Sequence, residues 1–181
     1  VRAVTVSLTQ FSNGYTVDLA ALSRATRAAE KWLVVDAIQG VGQVPVDMQV
    51  TPVDFLACGA QKWLLSPWGT GFLYVRKERI ASLWPLMAAP KPQGDDIRKF
   101  EEIGTHPAAN RLAISEAVTL HNGIGVARKA ARLRFLRDRW AQRLLQDQRV
   151  KLYCRLEPQH SCGIATFAIK DVEPAKVIVK R

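Results

Sequence analysis

The chain has 181 residues, of which 48% are hydrophobic and 23% charged, with a formal net charge of +10. That apolar share can bury a core, which excludes a disordered protein, and no apolar stretch approaches the roughly 20 residues of a membrane span. No charged leader with an apolar centre and a small-residue cleavage site is present, so secretion is not indicated. Cys58, Cys154 and Cys162 are odd in number and lack metal-ligand spacing. Reduced thiols in a cytoplasmic protein are the expectation.

Val4-Thr5-Val6-Ser7-Leu8 reads as a first strand. Asp18 can cap a helix whose apolar spacing runs through Leu19, Leu22, Ala25 and Ala29. Trp32–Asp36 is a short apolar run ending in an acid, followed by Gln39 and a Gly-rich turn, Gly40-Val41-Gly42. A second run, 53–58, leads through Gly59-Ala60-Gln61 to Lys62. Both runs have the β-branched, weakly alternating character of buried strands. Ser66-Pro67-Trp68-Gly69-Thr70-Gly71 is a tight connection to a strand at 72–75. Strands alternating with helices predict an α/β sheet covered on both faces. Residues 85–99, with Pro85, Pro90, Pro92 and Gly94, read as loop. Helices are expected over 108–122 and 125–148, then strands over 150–156 and 164–169, with Pro174 opening a last helix. The chain begins without Met and ends in Val177-Ile178-Val179-Lys180-Arg181, which suggests a piece of a longer protein.

The positive charge is concentrated in 126–149, where Arg128, Lys129, Arg132, Arg134, Arg137, Arg139, Arg143 and Arg149 face only Asp138 and Asp147. One reading is a surface for nucleic acid or an acidic partner. The other is a solvated helix face, with Ala130, Leu133, Leu136, Trp140 and Leu144 as the buried stripe. No nucleic-acid motif accompanies the charge, so the solvated face is the favoured reading.

Asp36 and Lys62 carry the chemistry. Each follows a buried strand, so both fall at one sheet edge, where open α/β sheets bind ligands. A pyridoxal phosphate enzyme needs a lysine for its Schiff base and a carboxylate facing the pyridine nitrogen. Ends one or two strands apart lie roughly 5–10 Å from each other, a gap the cofactor ring can bridge. Taken singly, Asp36 as a turn cap and Lys62 as a loop lysine are the simpler readings. Cys58, at the end of an apolar run, reads as a structural thiol. Cys162 and the three histidines (His106, His121, His160) have no evident catalytic setting. Trp63 and Trp68 flank the lysine, and packing under the loop is expected of them.

Val35-Asp36-Ala37-Ile38-Gln39, Val44-Pro45-Val46-Asp47, Val53-Asp54-Phe55, Gln61-Lys62-Trp63-Leu64 and Gly69-Thr70-Gly71-Phe72-Leu73-Tyr74-Val75 form an ordered series. It resembles the class V aminotransferases, the branch of fold type I pyridoxal phosphate enzymes that includes cysteine desulfurases, selenocysteine lyases and isopenicillin N epimerase-like proteins. The resemblance implies that residues 1–122 are the C-terminal part of a mainly parallel large domain, with 85–107 as loop or linker. Residues 123–181 would then be an incomplete smaller α+β domain. It implies that Lys62 carries the Schiff base, Asp36 pairs with the ring nitrogen, Gln39 bonds the phenolic oxygen and Gln61 binds near the cofactor. Phe100-Glu101-Glu102-Ile103-Gly104-Thr105 resembles the segment whose threonine reaches the partner subunit's phosphate. Thr105 therefore implies a homodimer with shared sites acting on an amino acid. Two positions depart from the family pattern: Gly59 stands for a serine or asparagine, and Gln61 for a histidine. The family's phosphate-gripping turn, ring-stacking residue and substrate-carboxylate arginine match nothing in this sequence. The 181 residues alone are expected to hold the cofactor poorly.

Overall fold

The computed structural model describes residues 1–101 and 103–173; the expected helix at Pro174 lies outside the described residues. Strands β1 (Ala3–Ser7), β2 (Trp32–Asp36), β3 (Phe55–Gly59) and β4 (Gly71–Val75) form one sheet in that order. β1, β2 and β3 are mutually parallel, and β4 pairs antiparallel with β3. Helix α1 (Leu19–Ala28) connects β1 to β2. The strand-helix alternation fails between β2 and β3, where residues 37–54 hold turns and an isolated Val41–Val44 bridge but no helix. Helix α2 (Lys77–Ile80) follows β4, and α3 (Ala108–Ile124) and α4 (Val126–Leu144) follow the loop. A two-stranded antiparallel ladder, β5 (Val150–Leu152) with β6 (Phe167–Ile169), completes the described chain.

The Asp18 carboxylate accepts the Ala21 N–H at 2.8 Å, so the predicted cap of α1 is present. The buried face of that helix is not the predicted one. Leu19, Ser23 and Thr26 are buried, whereas Ala25 and Ala29 are exposed. Ser23 tolerates burial because its hydroxyl donates to the Pro52 carbonyl at 2.6 Å; Thr26 donates back to Leu22 at 2.9 Å.

The core lies on the sheet face bearing Leu33, Val35, Leu56 and Cys58, with Leu8, Leu19, Val53 and Cys162 packed into it. Cys162 comes from the C-terminal segment, which closes over this face. Beyond the sheet pairing, β3 begins two residues later than its apolar run. Asp54 ends the ladder with its side chain: its Oδ2 accepts the Leu33 N–H at 2.8 Å while its own N–H donates to Leu33 at 3.0 Å.

Helix α4 corrects the expected stripe. Ala130 is buried as expected, but Ala141, outside the expected stripe, is buried too, Leu136 is 41% exposed and Arg137 only 1% exposed. The Arg137 guanidinium donates to the carbonyls of Cys162 (3.0 Å) and Leu156 (3.2 Å) and to Asp138 (2.8 Å). A guanidinium with that many acceptors is a tolerable buried charge, and it fastens α4 to the C-terminal loops. The expected strands after α4 shrink to three residues each, since only 150–152 and 167–169 find ladder partners.

Candidate active site at the carboxyl edge of the sheet

The parallel register aligns Asp36 with Ala57, and the Ala37 N–H donates to the Ala57 carbonyl at 2.8 Å. Registered residues of parallel neighbours point to one face, so Asp36 and Ala57 share the open face, opposite the core. Asp36 is exposed at the carboxyl end of β2. Its Oδ1 accepts the Ile38 N–H at 3.0 Å, which fixes the carboxylate at the turn, and among the described residues no cation pairs with it. Its charge is felt next door. Burial first, and Asp36 second, push the Cys58 thiol up to about 11. Cys58 is thus a protonated, structural thiol, as expected of a cysteine in an apolar strand.

β3 runs on through Gly59 into the turn that carries Lys62. The Leu65 N–H donates to the Lys62 carbonyl at 3.2 Å and the Ser66 N–H to Ala60 at 3.1 Å, with Leu65 at φ +63°. Lys62 is exposed. Gln61 folds over Gly59: a Cβ on Gly59 would lie 2.6 Å from the Gln61 Oε1. The two departures from the family pattern are therefore neighbours in space, and a side chain at 59 would require the Gln61 amide to move. The Gln61 Oε1 is buried without a hydrogen-bond partner among the described residues.

Gln39, three residues past Asp36, accepts the Trp63 indole N–H on its Oε1 at 2.9 Å. Its backbone carbonyl accepts the Gln43 side-chain amide, and the Gln43 Oε1 in turn accepts the Gly163 N–H at 3.1 Å. Trp63 is likewise held, its carbonyl accepting Lys129 Nζ from α4. Burial lowers the Lys129 ammonium's pKa, and burial together with Lys129 lowers that of His121. Neither contact of Trp63 was visible in the sequence, whose periodicities report neighbours on one element and not partners 24 or 66 residues apart. Trp68, expected under the loop, is 85% exposed instead.

The fold thus brings Asp36, Gln39, Gln61 and Lys62 to one edge. Thr105 stands apart in this sense: it is exposed, in the bend before α3, and makes no hydrogen bond with those four. The start of α3 is tied to the loop after Lys62 by a long contact, Asn110 Nδ2 to the Trp68 carbonyl at 3.4 Å. The basic stretch is in part structural, with Arg137 and Lys129 spent on carbonyls and Arg149 on Asp147. Among the described residues, no helix is long and apolar enough to cross a membrane and no cluster could hold a metal ion.

The family model for class V aminotransferases matches residues 1–179. The chain belongs to that family. An uncharacterised aminotransferase of Bacillus subtilis is 35% identical over 65% of this chain and 34% of its own length. The isopenicillin N epimerase of Streptomyces clavuligerus is 31% identical over 76% of this chain and 38% of its own. The apo structure of a cysteine desulfurase from Thermococcus onnurineus superposes with a TM-score of 0.87 at 22% identity, covering 98% of this chain and 46% of that one. At that identity the superposition establishes the fold alone: an α/β, mostly parallel sheet of the kind the resemblance implied. The chain spans less than half the length of each of these relatives.

Proposed function

We propose that the intact protein is a pyridoxal phosphate-dependent enzyme acting on an α-amino acid, with Lys62 as the residue joined to the cofactor by a Schiff base. The observation that carries this reading is the shared sheet edge: a carboxylate at the end of β2 that no cation among the described residues neutralises, and an exposed lysine in the turn just past the neighbouring β3. The names of the relatives support it, since they include an aminotransferase, epimerases and cysteine desulfurases. The residues present also fit the group. Among the described residues, no cation neutralises Asp36 and no hydrogen bond uses the Gln39 amide nitrogen.

When bound, pyridoxal phosphate supplies an electron sink for a substrate carbanion. The chain's own residues then have separate tasks. Asp36 holds a proton at the pyridine nitrogen. A charge pair about 4 Å apart at an effective dielectric near 20 is worth roughly 4 kcal/mol, or about three pKa units, which decides protonation at neutral pH. Gln39 donates its amide N–H to the phenolic oxygen. Gln61 orients the phosphate side of the cofactor beside Lys62. Lys62 would serve as the general base or acid that moves a proton to and from the substrate's α-carbon. Thr105 acts across a homodimer interface on the partner's phosphate, in an enzyme we place in the cytoplasm. The 181 residues by themselves are proposed to be inactive.

Replacing Asp36 by Asn in the full-length protein tests the assignment. Turnover of the best amino-acid substrate should fall by roughly 10³-fold, from the ~4 kcal/mol above, with the fold intact. Unchanged turnover would refute the electronic role of Asp36.

A further inference from the structure

We infer that Trp63 is a positioning residue whose indole N–H sets the orientation of the Gln39 carboxamide and so aims an N–H donor at the cofactor's oxygen. The inference rests on the pyridoxal phosphate reading above, and adds to it a residue with no role in it so far. An amide side chain can present either end to a neighbour, and its oxygen and nitrogen differ little in shape. Here the neighbour resolves the choice. An indole nitrogen is a donor only, so the Gln39 atom 2.9 Å from Trp63 Nε1 must be the oxygen. The NH2 group is then directed away from Trp63 and is left to donate. Were the amide turned over, two donors would meet and a lone pair, useless to a phenolate, would face the site.

Trp63 can do this because its own position is fixed from several directions. It directly follows Lys62, so the turn that sets the lysine also sets the indole. Its carbonyl accepts the Lys129 ammonium from α4. Gly42 packs against its backbone: a Cβ there would lie 2.6 Å from the Trp63 carbonyl, and Gly42 sits at φ +94°, so only glycine fits. Gln39 is anchored separately at its backbone by the buried Gln43, whose amide is itself oriented by Gly163. Both ends of the Trp63–Gln39 contact are therefore held before any ligand arrives, which is what preorganisation requires.

The test separates the contact from the site. In the cofactor-free 181-residue chain, the Trp63 indole proton should exchange with solvent about three- to tenfold faster after Gln39→Leu, as expected for one lost hydrogen bond. Gln39→Glu should keep it protected, because a carboxylate still accepts. In the full-length protein with pyridoxal phosphate, the pH titration of the visible absorbance band reads the donor to the phenolic oxygen. Gln39→Leu and Gln39→Glu, which cannot donate, should both move its midpoint upward. Trp63→Phe should move it in the same direction by less, and should add nothing on top of Gln39→Leu. If both Gln39 variants shift the midpoint and Trp63→Phe does not, the positioning role is overturned and the site stands. If neither Gln39 variant shifts it, the role of Gln39 falls, and Trp63's with it. Should Trp63→Phe misfold, the exchange experiment on the Gln39 variants decides alone: equal exchange in wild type and Gln39→Leu overturns the contact.

Discussion

The two ends of the four-stranded sheet treat an aspartate in opposite ways. Asp54, at the amino end of β3, is 3% exposed and partnered on both oxygens: it accepts the Leu33 N–H at 2.8 Å and Arg79 Nε at 2.8 Å, with Arg76 at 3.8 Å. Asp36, at the carboxyl end of β2, is exposed and holds one backbone N–H. A buried carboxylate paired with arginine and a backbone N–H serves the fold, while an exposed one held in place without a cation has capacity for a ligand. The same contrast separates Arg137, whose guanidinium is consumed by carbonyls, from the exposed arginines around it on α4.

That contrast can be broken by mutation. Asp54→Ala should cost about 3–5 kcal/mol, since it leaves Arg79 and the Leu33 N–H without their acceptor, whereas Asp36→Asn should move stability by about 0.5 kcal/mol or less. Urea unfolding of the two variants measures both, and equal losses would erase the distinction. Arg137→Ala should cost about 2–4 kcal/mol, by removing the guanidinium donor from the carbonyls of Cys162 and Leu156 and opening a cavity. The exposed Arg139→Ala should stay within about 0.5 kcal/mol, by thermal melting of both.

A pH experiment sharpens the picture at the same edge. The folded state holds the Cys58 thiol above its unfolded value, at about 11. The stability this contributes is complete below the unfolded pKa and is lost as pH rises toward 11, on the order of 2 kcal/mol in all. Stability of the wild type should therefore fall through pH 9–11, and Cys58→Ala should flatten that limb of the curve. An unchanged slope would place the alkaline loss elsewhere.

How much of this was legible in the sequence depends on the kind of interaction. The four sheet strands follow from short apolar runs, and the placement of Asp36 and Lys62 at one edge follows from where those runs stop. The α1 cap was legible because capping is local. The buried face of α1 was not, since Ser23 and Thr26 are buried by virtue of carbonyl partners that hydropathy ignores. Arg137 was misplaced for the same reason: pattern reading puts arginine outside, and two carbonyls from distant loops, with the adjacent Asp138, put it inside. The Gln39–Trp63 contact and the close approach of Gln61 to Gly59 depend on side-chain geometry after folding, and no periodicity encodes them.

The central claim is that Lys62, and not another lysine, takes the cofactor. Lys129 is the informative competitor, because it touches the neighbouring residue's carbonyl and burial lowers its pKa. Borohydride reduction of the full-length protein with pyridoxal phosphate, followed by peptide mapping, distinguishes them. The account predicts a pyridoxyl adduct on Lys62 that vanishes in Lys62→Ala; an adduct on Lys129 or any other residue in the wild type would contradict it.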